Sequence, residues 1–201
     1  METTLLTPKK RERKIPEYLV KEVLNGTPIY YKGYKSVLNG NKTLEEIMGS
    51  SGLQGLIILF IQKLLIKNLD EKLYLPLTGE VGLHLSHKNN LSGDIMVYKT
   101  GQIPVFTKKY LEVAPMLQVE VDTNIDNSNI TDNQYVTQKT KRLLEFGVEK
   151  LIWVFTTTQT IWIAEPHQDW RIVDWNKTID LIEGIQMNLG EYLSTMNVEL
   201  D

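Results

Sequence analysis

The sequence predicts a mixed α/β domain in which a central β-sheet is flanked by helices. Apolar runs typical of strands recur along the chain, for example at 94–98 and 116–121, and an amphipathic helix is indicated at 131–146. The order strand, helix, strand around this helix indicates a crossover unit. The remaining strands follow one another closely, which favours antiparallel additions to the same sheet.

Composition limits the class of protein. A chain of 201 residues with 42% hydrophobic residues fits a single domain with one sizeable core. The absence of cysteine excludes disulfides and zinc–thiolate sites, and three histidines make a histidine-rich metal cage an unfavourable interpretation. The net charge of −3 provides no general attraction to nucleic acid, so any such contact needs a local basic patch.

The N-terminus indicates a basic, flexible arm over residues 1–15, and the single folded domain is expected to occupy 16–201. The arm is either a solvated tail or a contact for nucleic-acid phosphates. The apolar run at 56–61 is too short to span a membrane and predicts a buried helix, so we expect a cytoplasmic protein without a membrane partner. The basic residues of the arm are Lys9, Lys10, Arg11, Arg13 and Lys14.

The N-terminal third predicts two turns and two helices. Asn25-Gly26 lies between two short apolar runs and predicts a β-hairpin, and a second Leu-Asn-Gly element at 38–40 predicts another turn. The segment 43–69 predicts two helices separated by the glycines and serines of 49–52. Each helix begins with capping-box spacing, which is provided by Thr43 with Glu46 and by Ser51 with Gln54.

The rest of the chain predicts strands around one long helix. Two strands joined by a polar turn at 88–90 precede the strand 116–121 and the helix 131–146. Three short strands are expected within 150–175, and a helix interrupted by glycines is expected at 178–193. Thr131 and Gln134 match a third capping box, and Gly147 matches a C-cap.

Two carboxylates at the end of the strand 116–121 raise the question of a metal site. Leu117, Val119 and Val121 share one face, whereas Glu120 and Asp122 lie on the other, which becomes more acidic towards its end. These acids are either a solvated strand end or metal ligands. For Asp122 itself, a capping role competes with a role as an additional ligand.

Lys139 is the second unusual position. On a helical wheel it lies inside the apolar arc that contains Val136 and Leu143, whereas Lys141 lies outside this arc. Either its stem lies along apolar surface with the amine reaching water, or its amine points into a cleft lined by carboxylates.

Asp94, Glu120 and Lys139 together supply the minimum for metal-assisted phosphodiester hydrolysis. Two carboxylates can hold Mg²⁺, which prefers oxygen ligands. The metal lowers the pKa of a bound water, and a neighbouring lysine stabilises charge that develops on the phosphate.

These segments resemble the PD-(D/E)XK nuclease superfamily and, within it, the Uma-two family of restriction-endonuclease-like proteins. The resemblance covers residues 16–165 and is carried by "SGDIMVY", by "LQVEVD" and by the helix with Lys139 that leads into "LLEFGVEKLIWVF". It implies the restriction-endonuclease-like fold, with Mg²⁺ (or Mn²⁺) held by Asp94 and Glu120. Asp122 stands where the superfamily usually has a lysine, and Lys139 matches a lysine that has migrated to the next helix. Gly93 precedes the aspartate where proline is usual, and Gln54 occupies a position often held by histidine.

The resemblance implies a metal-dependent endonuclease that hydrolyses phosphodiester bonds in DNA, with Asp94, Glu120 and Lys139 as catalytic residues. The alternative is a catalytically inactive binding module with the same fold, which the acidic pI of about 5.7 favours. Asp122, Glu46 and Gln54 are further candidates, although Glu46 also suits a helix first turn. A homodimer is the expected assembly, because cutting two strands needs two sites.

Overall fold

The computed structural model describes residues 15–199, which form an eight-stranded mixed sheet with helices on both faces and a separate two-stranded hairpin. The strands are β1 (Val20–Leu24), β2 (Thr27–Tyr30), β3 (Tyr74–Ser86), β4 (Asn89–Lys99), β5 (Leu117–Val121), β6 (Lys150–Phe155), β7 (Thr160–Ala164), β8 (Arg171–Asp174), β9 (Ile179–Ile182) and β10 (Ile185–Met187). The helices are α1 (Tyr34–Leu38), α2 (Glu45–Met48), α3 (Gly52–Asn68), α4 (Asp132–Phe146) and α5 (Leu189–Thr195).

The large sheet has the order β2-β1-β4-β5-β6-β7-β8, and β3 pairs with β4. Strands β5 and β6 are parallel, and α4 forms the crossover between them. The other named pairs are antiparallel. This arrangement confirms the predicted mixed sheet flanked by helices, and it places β4 and β5 next to each other at its centre.

Both faces of the central strands are buried. Side chains on one face of β4 and β5, such as Ile95 and Val119, pack in a cluster with α3. Side chains on the opposite face, such as Met96, pack in a second cluster with α4 and with Trp153 of β6. The second face therefore has no solvent in which charged groups could be hydrated, so Glu120 and Lys139 are buried together with this cluster.

Most local predictions are confirmed. Asn25 and Gly26 both have positive φ and join β1 to β2, as the hairpin interpretation required. Thr131 and Gln134 form a complete capping box, and Gly147 ends α4 in the left-handed conformation. The other two boxes are half-formed. Glu46 accepts from the backbone of Thr43, and Ser51 accepts from the backbone of Gln54, but the Gln54 side chain is used elsewhere.

The predicted closing helix at 178–193 is wrong over its first half. Residues 179–187 form the hairpin β9–β10, and α5 begins only at Leu189. Glu183 and Gly184, at φ 52° and 74°, form the tight turn that a two-residue hairpin requires. The glycine therefore marks a reversal of the chain. Ile179 and Leu181 alternate with exposed Asp180, which is the strand period that the helical reading overlooked.

Within residues 15–199, no helix is both long and apolar enough to cross a bilayer.

Candidate active site

Asp94 and Glu120 lie on the same face of neighbouring strands. In the antiparallel register of β4 and β5, Ile95 pairs with Val119, so one further step sets Asp94 opposite Glu120. Residues directly opposite in such a pair have Cβ atoms about 5 Å apart. The Asp94 carboxylate accepts a hydrogen bond from the backbone N–H of Val121 at 2.7 Å, which holds it at the end of β5. The two acids that the sequence singled out are therefore brought together.

Lys139 reaches the same place from α4. Its side chain is 1% exposed, and its Nζ lies 3.1 Å from Oε1 of Glu120. The amine is also positioned over the Trp153 ring, 5.5 Å from the ring centroid. The amine does not reach water, so the interpretation of a stem that carries its amine to the surface is wrong. Helix α4 begins at a capping box and presents Lys139 on its buried face, as the wheel predicted.

Glu22 is a third carboxylate in this cluster, and sequence reasoning missed it. Its Oε1 accepts from Lys139 Nζ at 2.8 Å and from both the backbone N–H and the hydroxyl of Ser92. Its Oε2 accepts from the hydroxyl of Tyr135 at 2.7 Å. Because donors of the protein occupy both oxygens, Glu22 holds Lys139 in position and has little capacity left for a metal.

A signal for Glu22 was present in the sequence. Glu22 has the same parity on β1 as Leu24, which is buried, so the alternation placed a carboxylate on the inner face. The signal for Tyr135 was its position one helical turn before Lys139. Neither signal identifies a partner, because the partners lie on other elements.

The electrostatics of the cluster follow from its burial. Burial raises the pKa of Glu120 to about 8, against the attraction of Lys139, and the charges of Asp94 and Glu22 add to this rise. The pKa of Asp94 is also raised, chiefly by burial. Burial alone lowers the pKa of Lys139, but the charges of Glu120 and Glu22 hold it well above its ordinary value. The pKa of Glu22 shifts in the other direction. Burial raises it, but the charge and hydrogen bond of Lys139, with other donors, outweigh burial and hold the pKa below its ordinary value.

The donor set fits a divalent cation. Asp94, Glu120 and Glu22 would carry three negative charges against the one positive charge on Lys139 only when Glu120 is ionised, which its raised pKa opposes and a bound cation would favour. In addition, the Oε1 of Gln118 is buried and has no hydrogen-bond partner, whereas its Nε2 donates to Glu120. A buried oxygen without a partner, on a side chain whose amide contacts Glu120, is an atom that a bound water could satisfy.

The number of protein ligands restricts the kind of cation. In the part of the chain that the structure describes, no three histidine, aspartate or glutamate side chains are arranged to hold a metal ion. Asp94 and Glu120 would therefore provide two carboxylate ligands and leave the other positions to water or to a substrate. Mg²⁺ is usually held in this way, through one or two carboxylates with several waters retained.

The additional candidates lie outside this cluster. Asp122 accepts hydrogen bonds from the backbone N–H and the hydroxyl of Thr156, both at 2.8 Å, and so ties the end of β5 to the segment after β6. Gln54 is buried, and its Nε2 donates to the carbonyl of Val121 at 2.8 Å. Glu46 is exposed and accepts from the backbone N–H of Thr43. The basic arm, with Lys9 to Lys14, lies outside the described residues.

Comparison with known proteins supports the fold. No family model matches the chain, and no curated protein matches it significantly. Among solved structures, the chain is similar to that of a putative nuclease belonging to DUF820, the Uma-two family, from Anabaena variabilis. The match has a TM-score of 0.63 at 15% sequence identity and covers 86% of this chain and 89% of the other. The chain therefore has the restriction-endonuclease-like fold that its resemblance to the Uma-two family predicted.

Proposed function

We propose that this protein is a metal-dependent nuclease that hydrolyses phosphodiester bonds in DNA. The observation that carries the proposal is the convergence of Asp94, Glu120 and Lys139 from three different elements into one buried cluster. A purely structural core gains little from such a cluster, because burying charges opposes folding unless each is matched. The likeness in fold to a protein described as a nuclease points in the same direction.

The contacts of each residue indicate its role in the proposed reaction. Asp94 and Glu120 would supply carboxylate oxygens to Mg²⁺ or Mn²⁺, and the bound cation supplies charge neutralisation of the phosphate and a more acidic water. Lys139 lowers the pKa of Glu120 against the larger effect of burial, and a bound cation would complete the ionisation of this ligand. Glu22 and Tyr135 fix the lysine in this position.

All three donors of the Lys139 ammonium are directed at protein partners. Two of the three N–H groups of its ammonium are needed for the hydrogen bonds to Glu22 and Tyr135. The third serves the ion pair with Glu120. If Glu120 bound a cation, this donor would become available for a phosphate oxygen, where a fixed positive charge would stabilise the transition state.

The experiment is incubation of the purified full chain with supercoiled plasmid DNA in Mg²⁺ or Mn²⁺, with EDTA as the metal-free control. We expect nicked or linear product in the presence of metal and none with Asp94→Asn. Cleavage that persists in Asp94→Asn would identify a contaminant and contradict the proposal.

The alternative from the same fold is a binding module without turnover. The replacement of the usual strand lysine by Asp122, whose carboxylate is bound to Thr156, favours this alternative. A binding module would bind DNA equally well as the wild type and as Asp94→Asn, and it would not cleave DNA in the presence of any metal ion.

A further inference from the structure

A cavity of about 630 Å³ lies at the carboxyl ends of the parallel strands β5 and β6. Its volume is within the range of pockets that hold small ligands. One wall is apolar and is formed by Val136 of α4 with Phe155 and Trp162. The rings of Phe155 and Trp162 meet edge to face, with centroids 5.2 Å apart, and both side chains are only partly buried. The rim is polar and includes Ser50, Thr123 and Asn124.

The cavity lies beside the candidate active site. Gln54 lines it and donates to the carbonyl of Val121, whose own N–H donates to Asp94. On the other side, Val136 precedes Lys139 by one turn of α4. The backbone of Val121 therefore links the cavity lining to Asp94, and Asp94, Glu120 and Lys139 lie outside the lining itself.

The charge of the lining argues against recognition through phosphates. Lys32 is the one lysine of the lining, and Asp122 and Asp132 accompany it. The net charge of −3 provides no general electrostatic attraction to the phosphates of duplex DNA. An aromatic wall with a hydrogen-bonding rim instead suits a base, which has flat faces for stacking and polar edges.

We propose that this cavity is a subsite for one unpaired nucleobase, so that the protein acts on single-stranded or locally unpaired nucleic acid. The base stacks on the ring of Trp162 and contacts Phe155 from the side, because the two rings are inclined at 66° to each other, and its edge faces the polar rim. A base inside a duplex can enter such a pocket only after leaving the stack, which costs free energy. This inference rests on the proposed nuclease function, but the binding site can be tested without cleavage.

The test measures fluorescence anisotropy of a 5′-labelled 12-mer of thymidylate, and of a labelled mixed-sequence duplex of equal length, in EDTA. Loss of one base–aromatic stack weakens binding by about 5-fold to 150-fold. We expect this loss for the single strand in Trp162→Leu, which keeps apolar bulk without an aromatic face. Trp162→Phe should restore most of the affinity, and Trp170→Leu, away from the cavity, should bind like the wild type. Circular dichroism confirms that each variant is folded.

The outcomes separate the two proposals. If the wild type binds neither oligonucleotide, prefers the duplex, or is unaffected by Trp162→Leu, the subsite is overturned even when the plasmid is cut. If Trp162→Leu does not fold, Trp162→Phe and the separate variant Phe155→Leu are measured in its place. Weaker binding of the single strand by Phe155→Leu alone supports the aromatic contact. Unchanged binding by both variants overturns the subsite. Stacking-dependent binding without any metal-dependent cleavage supports the subsite and contradicts the nuclease.

Discussion

The Nζ of Lys139 lies 2.8 Å from Oε1 of Glu22, and these residues are 117 positions apart in the sequence. Both side chains are 1% exposed. Two carboxylates offset the cost of burying this ammonium, whereas a lone buried charge has no such compensation. Removal of one member leaves the others in a low-dielectric environment without compensation.

Lys139→Ala should therefore reduce both stability and activity. We expect the free energy of unfolding to fall by about 3–5 kcal/mol, as is typical when one partner of a buried ion pair is removed. Cleavage per folded molecule should fall by on the order of 10²-fold or more, because a fixed charge stabiliser is lost. Lys141→Ala is the matched control on the exposed side of α4 and should change stability by less than about 0.5 kcal/mol. Urea denaturation and metal-dependent cleavage rates measure the two effects. Equal activity in all three proteins would remove Lys139 from the site.

Glu22→Gln should show a characteristic dependence on pH. The folded pKa of Glu22 is held below its ordinary value by Lys139, so its charge stabilises the fold above the unfolded pKa of about 4.5. This contribution is lost as the pH falls through the folded value. The stability difference between wild type and Glu22→Gln should be about 1–3 kcal/mol at neutral pH and should shrink below about pH 4.5. A difference that is constant between pH 3 and pH 7 would mean that the charge of Glu22 is unimportant.

Metal binding should stabilise the wild type without any substrate. At a free Mg²⁺ concentration 100 times the dissociation constant, the gain is about 2.7 kcal/mol. Asp94→Asn and Glu120→Gln should lose this increase in melting temperature, because each removes a charged ligand. Asp122→Asn should keep it, because Asp122 is bound to Thr156. If Asp122→Asn also abolishes the shift, the metal lies at the end of β5 and Asp122 is one of its ligands.

Gly93→Ala tests the packing around Gln118. A Cβ at position 93 would lie 2.7 Å from Nε2 of Gln118 and 2.8 Å from the terminal methyl carbon of Met96. Since this amide donates to Glu120, the substitution should displace the carboxylate and cost about 1–3 kcal/mol of stability. Gly55→Ala on α3 meets no atom within 4 Å and should stabilise by about 0.5–1 kcal/mol. Thermal unfolding of both variants measures the contrast, and a neutral Gly93→Ala would show that the cluster rearranges at little cost.

The basic arm can be tested by deletion of residues 1–14. If Lys9, Lys10, Arg11, Arg13 and Lys14 contact phosphates, the deletion should weaken binding to DNA and flatten its salt dependence. Each lost phosphate contact reduces the number of released counterions and so lowers the slope by about 0.7–0.9. Anisotropy titrations between 50 and 200 mM salt provide the slopes. An unchanged slope would indicate that the arm makes no phosphate contact.

Much of the fold could be predicted from local pattern. The strand period at 94–98, the capping box at Thr131 and the left-handed Gly147 are properties of short segments, and the structure confirms them. The hairpin at 179–187 was missed because its apolar residues, spaced around a glycine, also fit a broken helix over so short a length. Local pattern alone does not distinguish a hairpin from a broken helix here. The pairing between β9 and β10 distinguishes them.

Local pattern identified the residues with unusual chemistry: an acid at the start of one predicted strand, an acid near the end of the next, and a lysine on an apolar helix face. The groups that these residues contact depend on how distant segments pack. The sheet order places β1 beside β4 and thereby brings Glu22 to Lys139. It also places Asp122 against Thr156, which donates two hydrogen bonds to its carboxylate. The physical reason is that the free energy of a buried charge depends on neighbours from distant segments, and strand pairing, which no local pattern encodes, selects those neighbours.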